Sequence, residues 1–162
     1  MRSQFALRLF RPSDIDRVIY INRVCLPENY SSHFFMDLFK RFPETFIIAE
    51  EDGQVVGYIM CRMETGLPSF RTFELPKIGH IISIAVLPQY RGRGIGYSLI
   101  RRALWAMSRY KAKECYLEVR VSNTPAINLY KKLGFKIAKT IRGYYADGES
   151  SYRMTRQLPL KD

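Results

Sequence analysis

The sequence has few of the features that mark membrane, secreted and metal-binding proteins. No apolar run approaches the roughly 20 residues that a bilayer-spanning helix needs, and the N-terminal segment MRSQFALRLFR is too short and too interrupted for a signal peptide. The three cysteines are widely spaced and form no C-x-x-C pair, which indicates reduced thiols and argues against a structural zinc site. These absences predict a protein that stays in the cytoplasm and does not contact a membrane.

Acidic residues are scarce relative to basic ones. Lys and Arg number 26 against 15 Asp and Glu, a formal net charge of +11 over 162 residues. Such a charge favours polyanionic partners, among them nucleic acid, a ribosome surface and a phosphorylated cofactor. The basic residues are scattered along the chain and no DNA- or RNA-binding motif is present, which disfavours a dedicated nucleic-acid module. The length fits one domain, residues 1–162, with its own core.

The most informative stretch is a strand pattern that runs into a glycine-rich turn. The apolar run from Ile81 to Leu87 has the length and β-branching of a buried strand. It is followed by Arg91-Gly92-Arg93-Gly94-Ile95-Gly96, whose glycines lack a Cβ that would keep a ligand from the backbone. An amphipathic helix begins there, so the N–H groups from Gly92 to Tyr97 and the positive end of the helix dipole are placed to bind a phosphate. The two arginines add positive charge to the turn.

The remaining sequence alternates strand and helix patterns. Asp52-Gly53 predicts an antiparallel hairpin, and the segment Thr65 to Lys77 has loop composition. Asn123 is an N-cap candidate for the last helix, which Gly134 is expected to end. Four helix patterns begin after Asp14, Ser31 or Ser32, Gly94 and Asn123. The strand patterns are Phe5–Phe10, Thr45–Glu50, Gln54–Glu64, Ile81–Leu87, Cys115–Val121, Phe135–Ile141 and Ser151–Leu158.

Two blocks resemble the GNAT acetyltransferase superfamily. Arg91, Gly94 and Gly96 match its acyl-CoA motif, which places Gln or Arg, two residues, Gly, one residue and Gly or Ala after a strand. The block from Asn123 to Phe135 matches the second family signature at the expected distance downstream. The resemblance covers essentially the whole chain. It implies a mixed α/β fold with a central, mostly antiparallel sheet of about seven strands, one splayed parallel pair and four flanking helices.

Four further segments resemble a narrower group, the archaeal N-terminal acetyltransferases and the catalytic subunit of the eukaryotic type A complex. They are Leu26–Tyr30, Gly57–Tyr58, Leu117–Asn123 and Tyr144–Gly148, and the last of these is the most specific. One departure is GESSY at Gly148–Tyr152, where that group more often has Glu-Asp-Ala-Tyr after the glycine. The resemblance implies transfer of acetyl from acetyl-CoA to the free N-terminus of protein or peptide chains.

The resemblance also implies which residues bind acetyl-CoA. The backbone of Ile84-Ala85-Val86 is expected to hold the pantetheine and orient the thioester. Asn123, Tyr130 and Lys131-Lys132 match positions that line the other side of CoA in this family. The turn residues Arg91 to Tyr97 complete the predicted cofactor site.

Three residues are candidates for the general base. A peptide α-amino group has a pKa of about 8, so the base has a modest task near neutral pH. The resemblance implies that Glu28, His80 and Glu118 face the junction of peptide and cofactor. Glu28 and His80 are expected to deprotonate the amine, directly or through water, while Glu118 holds the water or the imidazole. Glu28 as a solvated loop carboxylate and His80 as a structural strand residue are the alternatives.

Tyr130 has two interpretations. The family resemblance makes it the acid that protonates the departing CoA thiolate, whereas its place on the apolar face of a helix also fits simple packing. No residue resembles an acyl-carrying nucleophile, because Cys61 and Cys115 fall in strand patterns without an adjacent base. Direct transfer in a ternary complex is therefore predicted.

The peptide side of the site is predicted from the turn after the first helix and from the tyrosine block. Its expected members are Leu26, Glu28, Tyr30, Tyr144 and Tyr145. His80 and Glu118 together are too few ligands for a firm metal site, so no metal is expected. The alternatives for the function are a lysine or small-amine acetyltransferase and a non-catalytic module that binds CoA or docks on ribosomes. The sequence leaves open whether an auxiliary subunit is used.

Overall fold

The computed structural model describes residues 4–66 and 75–160 of the chain. Within those ranges it has seven strands and four α-helices in the predicted order. The strands are β1 (Ala6–Leu9), β2 (Phe46–Glu51), β3 (Gln54–Thr65), β4 (Lys77–Val86), β5 (Glu114–Arg120), β6 (Lys136–Ile141) and β7 (Ser151–Gln157). The helices are α1 (Ile15–Cys25), α2 (Ser32–Arg41), α3 (Ile95–Arg109) and α4 (Thr124–Lys132). None of these described helices has the length and apolarity to cross a membrane. Most of the predicted loop from Thr65 to Lys77 lies outside the described residues.

The strands form a sheet in the order β1-β2-β3-β4-β5-β7-β6. The β1–β2, β2–β3, β5–β7 and β6–β7 pairs are antiparallel, whereas β4 and β5 are parallel. Their parallel register joins Ile78 to Glu114, Gly79 to Cys115 and His80 to Tyr116. The predicted mixed sheet with one parallel pair is confirmed.

The turn between β2 and β3 has the backbone that its sequence predicts. Asp52 and Gly53 have φ angles of 52° and 77°. Two-residue hairpin turns of type I′ need positive φ at both central positions, which is why Asp-Gly is favoured there. This hairpin is confirmed.

Strand β4 starts at Lys77, earlier than the apolar run from Ile81 that predicts it. The added segment contains Gly79, where a Cβ would lie 2.3 Å from Sδ of the buried Met107. It also contains His80, which is only 8% exposed. Two carboxylates contact its ring and compensate for the burial of this polar side chain. Glycine and histidine do not read as a buried strand, so hydrophobic periodicity ends too late to find this segment.

By its packing the chain divides into two compact units, the first Met1–Arg62 with Ile81–Ala106 and the second Met63–His80 with Met107–Asp162. The first unit has an aromatic core beneath α1 and α2. Phe10 stacks on Phe46 with ring centroids 4.1 Å apart, and Phe35 lies edge-on to Tyr58. The prediction that the whole chain is one domain stays a prediction.

The second unit is organised by the alternation along β5. Cys115, Leu117 and Val119 are buried, whereas the residues between them are partly exposed on the opposite face. This is the two-residue period predicted for the strand. It places Tyr116 and Glu118 side by side on one face of the sheet.

Candidate active site

In the first unit, the glycine-rich turn leads directly into α3. Gly92 and Gly94 have φ angles of 79° and 86°, in the left-handed region that glycine adopts without strain. A Cβ built at either position meets no atom within 4 Å. Across the first turn of α3, the N–H of Ser98 donates to the carbonyl of Gly94 at 3.0 Å. The N–H groups before Ser98 are those that a helix leaves without an intrahelical partner, which suits the predicted phosphate site.

The two arginines of this turn are held by other parts of the first unit. Nη1 of Arg93 lies 2.9 Å from both carboxylate oxygens of Glu51, a buried residue at the end of β2. Nε of Arg91 donates to the carbonyl of Val86 at 2.8 Å. These contacts stiffen the turn. Sequence patterns give no indication of Glu51, because 42 residues separate it from its partner.

The backbone of Ile84-Ala85-Val86, predicted to hold the pantetheine, forms the end of β4. The described register of β4 with β5 stops at His80, before these residues. The carbonyl of Val86 accepts from Arg91 and also lies 3.5 Å from Sγ of Cys25. Binding of the pantetheine by this segment stays a prediction.

In the first unit, the turn between α1 and α2 carries the predicted residues Leu26, Glu28 and Tyr30. Asn22 of α1, which is fully buried, holds this turn at two points. Its Nδ2 donates to the carbonyl of Glu28 at 3.1 Å, and its Oδ1 accepts from the N–H of Tyr30 at 3.3 Å. The ring of Tyr30 stacks on Phe34 with centroids 4.9 Å apart. The turn is therefore anchored to the core, although the roles of its side chains stay predictions.

In the second unit, α4 carries the predicted cofactor residues Asn123, Tyr130 and Lys131-Lys132. Oδ1 of Asn123 accepts from the N–H of Ala126 at 3.3 Å, which confirms the predicted N-cap. The two lysines are exposed at the end of the helix, where positive charge complements the helix dipole. Tyr130 is 8% exposed and its ring lies edge-on to Phe135. Contacts of these residues with CoA stay predictions.

Burial changes what Tyr130 can do chemically. It raises the pKa of this phenol to about 12, well above the value of about 8.5 for a free thiol. Complete proton transfer from the phenol to a departing thiolate is therefore uphill by about 5 kcal/mol. A hydrogen bond from the phenol to the sulfur avoids that cost, so the environment of Tyr130 favours a hydrogen-bond donor over the proton-transferring acid that the family resemblance implies.

The second unit also contains a cluster around His80. Nδ1 of His80 lies 2.9 Å from Oε2 of Glu64, and Nε2 lies 2.9 Å from Oε1 of Glu118. The imidazole stacks on the ring of Tyr116 with centroids 4.0 Å apart and planes 17° apart. The structure thus brings together two predicted site residues, His80 and Glu118. It adds Glu64 and Tyr116, which sequence motifs do not indicate.

The two carboxylate oxygens of Glu118 have different surroundings. Besides His80, its Oε1 accepts from the hydroxyl of Tyr144 at 3.3 Å. Its Oε2 is buried and has no hydrogen-bond partner among the described residues, although Nε of Arg153 lies 3.9 Å away. Buried carboxylate oxygens are usually satisfied. Nε of Arg153, the charged group that faces Oε2, is likewise buried without a hydrogen-bond partner among the described residues.

The tyrosine block lies between β6 and β7, and Arg120 of β5 holds it. Nη1 of Arg120 lies 2.8 Å from Oδ2 of Asp147 and 2.9 Å from Oε1 of Glu149. The guanidinium group also lies 4.0 Å from the ring centre of Tyr145. Hydrogen bonds from the N–H of Glu149 and from Arg120 lower the pKa of Asp147, so this carboxylate stays charged and bound. The loop that carries the predicted peptide-binding tyrosines is therefore ordered by a strand residue.

Other reactive groups are few in the described parts of the chain. No group of three or more His, Cys, Asp or Glu side chains there is arranged to hold a metal ion. The three cysteines form no disulfide with one another, and two of them, Cys61 and Cys115, are buried. Burial raises the pKa of the Cys25 thiol, which lowers its thiolate fraction and its reactivity. These thiols have the character of structural residues.

Comparison with known proteins agrees with this geometry. Residues 15–135 match the model of the acetyltransferase (GNAT) family. The N-alpha-acetyltransferase of Sulfurisphaera tokodaii is 52% identical over 96% of this chain and 94% of its own length. The N-terminal acetyltransferase A complex catalytic subunit NAA10 of Arabidopsis thaliana is 38% identical over 86% of this chain and 71% of its own.

A solved structure supports the same assignment. Arabidopsis thaliana Naa50 in complex with the bisubstrate analogue CoA-Ac-MVNAL matches with a TM-score of 0.82 and 29% identity, over 95% of this chain and 99% of that one. The predicted resemblance, to the family and to both its archaeal and type A members, is confirmed. With a family model that covers both signature blocks and a relative at 52% identity, the chain belongs to the GNAT acetyltransferase family.

Proposed function

We propose that this chain is an acetyl-CoA-dependent N-alpha-acetyltransferase, a single domain that acts on the free N-termini of protein or peptide chains. The observation that carries the proposal is Oε2 of Glu118, which is buried beside His80 and Tyr144 and has no hydrogen-bond partner within residues 4–66 and 75–160. Membership of the GNAT acetyltransferase family supports acetyl transfer as the reaction. The 52% identity to a protein named N-alpha-acetyltransferase supports an α-amino acceptor, and the CoA–peptide analogue bound by related Naa50 supports acetyl-CoA as the co-substrate.

The substrate ammonium group must lose a proton before its nitrogen can attack the thioester. We assign the accepting atom to Oε2 of Glu118, because both nitrogens of His80 already face carboxylates. The sequence alone favours Glu28 and His80 for this step, with Glu118 in a supporting role. In this proposal His80 and Glu118 exchange those roles, and Glu28 stays a second candidate in the turn between α1 and α2.

Transfer then proceeds without an acyl-enzyme. The neutral amine attacks the acetyl carbon, so a C–N bond forms and the C–S bond breaks. Tyr130 donates a hydrogen bond to the departing sulfur. Of the three ammonium protons, one stays on the amide nitrogen, one passes through Glu118 to solvent, and one is taken up by the sulfur, which ends as the CoA thiol. The unreactive environments of the three cysteines support this direct route.

The contacts with acetyl-CoA are assigned to the start of α3, the end of β4 and α4 with its N-cap. The N–H groups at the start of α3 bind the pyrophosphate, since a helix N-terminus with open glycine positions favours an anion. The end of β4, Ile84-Ala85-Val86, binds the pantetheine. Asn123 and the lysines Lys131-Lys132 contact the remainder of CoA.

The test of this function is CoA thiol release with acetyl-CoA and two sets of peptides. One set has free N-termini and differs at the first two residues, and the other has blocked N-termini and retains a lysine. Turnover is expected only with free N-termini, because a peptide α-amino group, with a pKa of about 8, is far more easily neutralised than a lysine at about 10.4. Equal turnover with blocked peptides would instead support a lysine acetyltransferase. CoA binding without turnover would support the non-catalytic module.

Truncating Arg120 tests the ordered tyrosine loop. We expect Arg120→Ala to raise the peptide KM about tenfold, about 1.4 kcal/mol of binding, because Asp147, Glu149 and Tyr145 lose their common partner. The KM for acetyl-CoA should stay within about twofold. Steady-state kinetics with both substrates measure these values, and Lys139→Ala on exposed β6 is the matched loss of one positive charge. An unchanged peptide KM would contradict a role for the loop in peptide binding.

The charge of the chain supports a further partner, the ribosome surface, in the cytoplasm. The net charge of +11 favours polyanions, and the exposed Trp105 on α3 lies beside Arg102. Three cysteines that form no disulfide with one another fit a reducing compartment. Co-sedimentation with ribosomes that weakens steeply with salt is expected, and sedimentation independent of salt would argue against an electrostatic contact.

The relative NAA10 is named as the catalytic subunit of a complex, which supports an auxiliary subunit as a second partner.

A further inference from the structure

Both ring nitrogens of His80 face carboxylates. A neutral imidazole cannot donate a hydrogen bond to two ionised carboxylates at once. Each ring nitrogen lies 2.9 Å from a carboxylate oxygen, one from Glu64 and one from Glu118. A neutral imidazole has one N–H donor and one acceptor nitrogen, and a carboxylate only accepts. Two hydrogen bonds therefore need two protons shared by the three groups. Removal of either carboxylate must change where the ring carries its protons.

Glu64 is fixed in place from its other side. The hydroxyl of Tyr116 donates to Oε1 of Glu64, while Oε2 faces His80. The ring of the same tyrosine stacks on the imidazole. The hydroxyl thus orients the carboxylate and the ring supports the histidine, so Tyr116 sets the geometry of both groups. The carboxylate raises the pKa of Tyr116 together with burial, which is the larger cause, so the phenol stays a donor.

The arrangement differs from an ordinary surface ion pair. The side chain of His80 is 10% exposed and that of Glu118 is 8% exposed, whereas that of Glu64 is 27% exposed. Of these three side chains Glu64 is the most exposed, and Oε2 of Glu118 has no hydrogen-bond partner in the part of the chain that the structure describes. His80 lies between them and transmits the influence of one carboxylate to the other.

We infer that Glu64 is a positioning residue for the acetyl transfer, and this inference rests on the proposed function. Its carboxylate accepts the Nδ1–H of His80 and orients the ring, so that the Nε2–H donates to Oε1 of Glu118 and Oε2 of Glu118 is left to accept the substrate proton. In that step an N–H bond of the ammonium group breaks and an O–H bond forms at Glu118. Glu64 itself gains no proton and touches no substrate.

The charge of Glu64 also affects the pH at which the cluster accepts a proton. The titratable or charged groups that face the cluster are Glu64 from β3, Tyr116 and Glu118 from β5, Arg153 from β7 and Tyr144 from the loop before β7. Negative charge favours the protonated form of a neighbour. Loss of the Glu64 charge should therefore let the cluster release its proton at lower pH, and the acidic limb of the kcat profile should move to lower pH.

Two substitutions separate charge from hydrogen bonding. Glu64→Gln keeps the shape and an acceptor oxygen but removes the charge, and Glu64→Leu removes both. For Glu64→Gln we expect the acidic limb to move down by about one pH unit, with kcat about threefold to tenfold lower. Glu64→Leu should lose more kcat than Glu64→Gln. Glu114→Gln is the matched control, a glutamate on β5 whose carboxylate contacts Gln157 at 3.5 Å.

Imidazole nitrogen NMR gives a readout that needs no substrate. The chain has two histidines, and His33→Gln leaves only the signals of His80. In the wild type we expect a proton on Nδ1 that faces Glu64 and a second proton on Nε2 that faces Glu118. In Glu64→Leu we expect the Nδ1 proton to be lost and the Nε2 proton kept, since Glu118 is then the carboxylate among the described residues that faces the ring. Tyr116→Phe keeps Glu64 and removes only the hydroxyl that donates to it. This variant should show an intermediate population of the Nδ1 proton, and it serves if Glu64→Leu does not fold.

The two readouts distinguish failure of this inference from failure of the proposed function. Wild-type protein without turnover on free N-termini would contradict the function, and the NMR experiment would still test the role of Glu64. Normal turnover with an unchanged pH profile and unchanged ring protonation in both Glu64 variants would overturn the inference. A lower kcat with no shift in pH profile or ring protonation would also overturn it, because it would assign Glu64 to stability alone.

Discussion

Glu118→Gln is expected to lower kcat about 100-fold or more, the scale of lost general-base catalysis, while the Kd for acetyl-CoA stays within about twofold. Glutamine has nearly the same shape and can keep contacts with His80 and Tyr144, but its amide does not accept a proton near neutral pH. The effect should therefore fall on the chemical step and leave binding intact. Thiol release at saturating substrates measures kcat, and calorimetric titration measures the Kd.

Two comparisons make this result specific. Glu114→Gln removes a carboxylate from the same strand and should leave kcat unchanged. The double variant Glu28→Ala with His80→Ala removes the two bases predicted from sequence. It should lower kcat at least tenfold whether or not Glu118 is the base, because His80 also positions Glu118. A Glu118→Gln variant with near-normal kcat, beside a strongly impaired double variant, would return the role of base to Glu28 and His80.

Much of the fold can be predicted because its signals are local. Asp52-Gly53, the glycines of the turn before α3 and the Asn123 cap each work through residues within a few positions of one another, so their spacing in the sequence is their spacing in the structure. The alternation along β5 is equally local and correctly separates Cys115 from Tyr116 and Glu118. The seven strands and four helices among the described residues follow from such patterns.

The side chains that support the site cannot be found in this way. Glu51 lies 42 residues from its partner in the sequence, Glu64 lies 16 residues from its partner, and Asn22 lies 6 or more residues from its partners. Their residue type alone does not distinguish them from surface carboxylates or amides. Polar residues are usually exposed, so sequence patterns favour solvent for all three. Only the folded chain shows that they are bound to Arg93, His80 and the turn after α1.

The start of β4 shows the same limit in the backbone. Gly79 and His80 break the apolar pattern that predicts the strand, yet both are required there by contacts with other elements. The buried side chain of Met107 in α3 would have to move to admit a side chain at Gly79, and the carboxylates of Glu64 and Glu118 compensate for the burial of His80. Hydrophobic periodicity thus misses this candidate site residue, because the polar side chain that gives it its chemistry interrupts the apolar pattern of the strand.

Asn22→Leu is expected to cost about 3–5 kcal/mol of folding free energy and to lower Tm by at least about 6 °C. Leucine has a similar size but offers no polar atom to the carbonyl of Glu28, the N–H of Tyr30 or the hydroxyl of Tyr58. The two backbone groups would lose partners that hold the turn, and the peptide KM should rise as well. Thermal unfolding measures Tm.

The matched control is Asn128→Leu on the exposed face of α4, which should change stability by no more than about 0.5 kcal/mol. Tyr58→Phe is a milder variant for the case that Asn22→Leu does not fold. It removes the hydroxyl that joins Asn22 at 3.1 Å to Ser83 at 2.7 Å but leaves both bonds from Asn22 to the turn. It should therefore lower Tm without raising the peptide KM. A peptide KM that rises equally in both variants would place the effect in the core, whereas a rise confined to Asn22→Leu would identify this buried amide as the anchor of the turn that carries Glu28 and Tyr30.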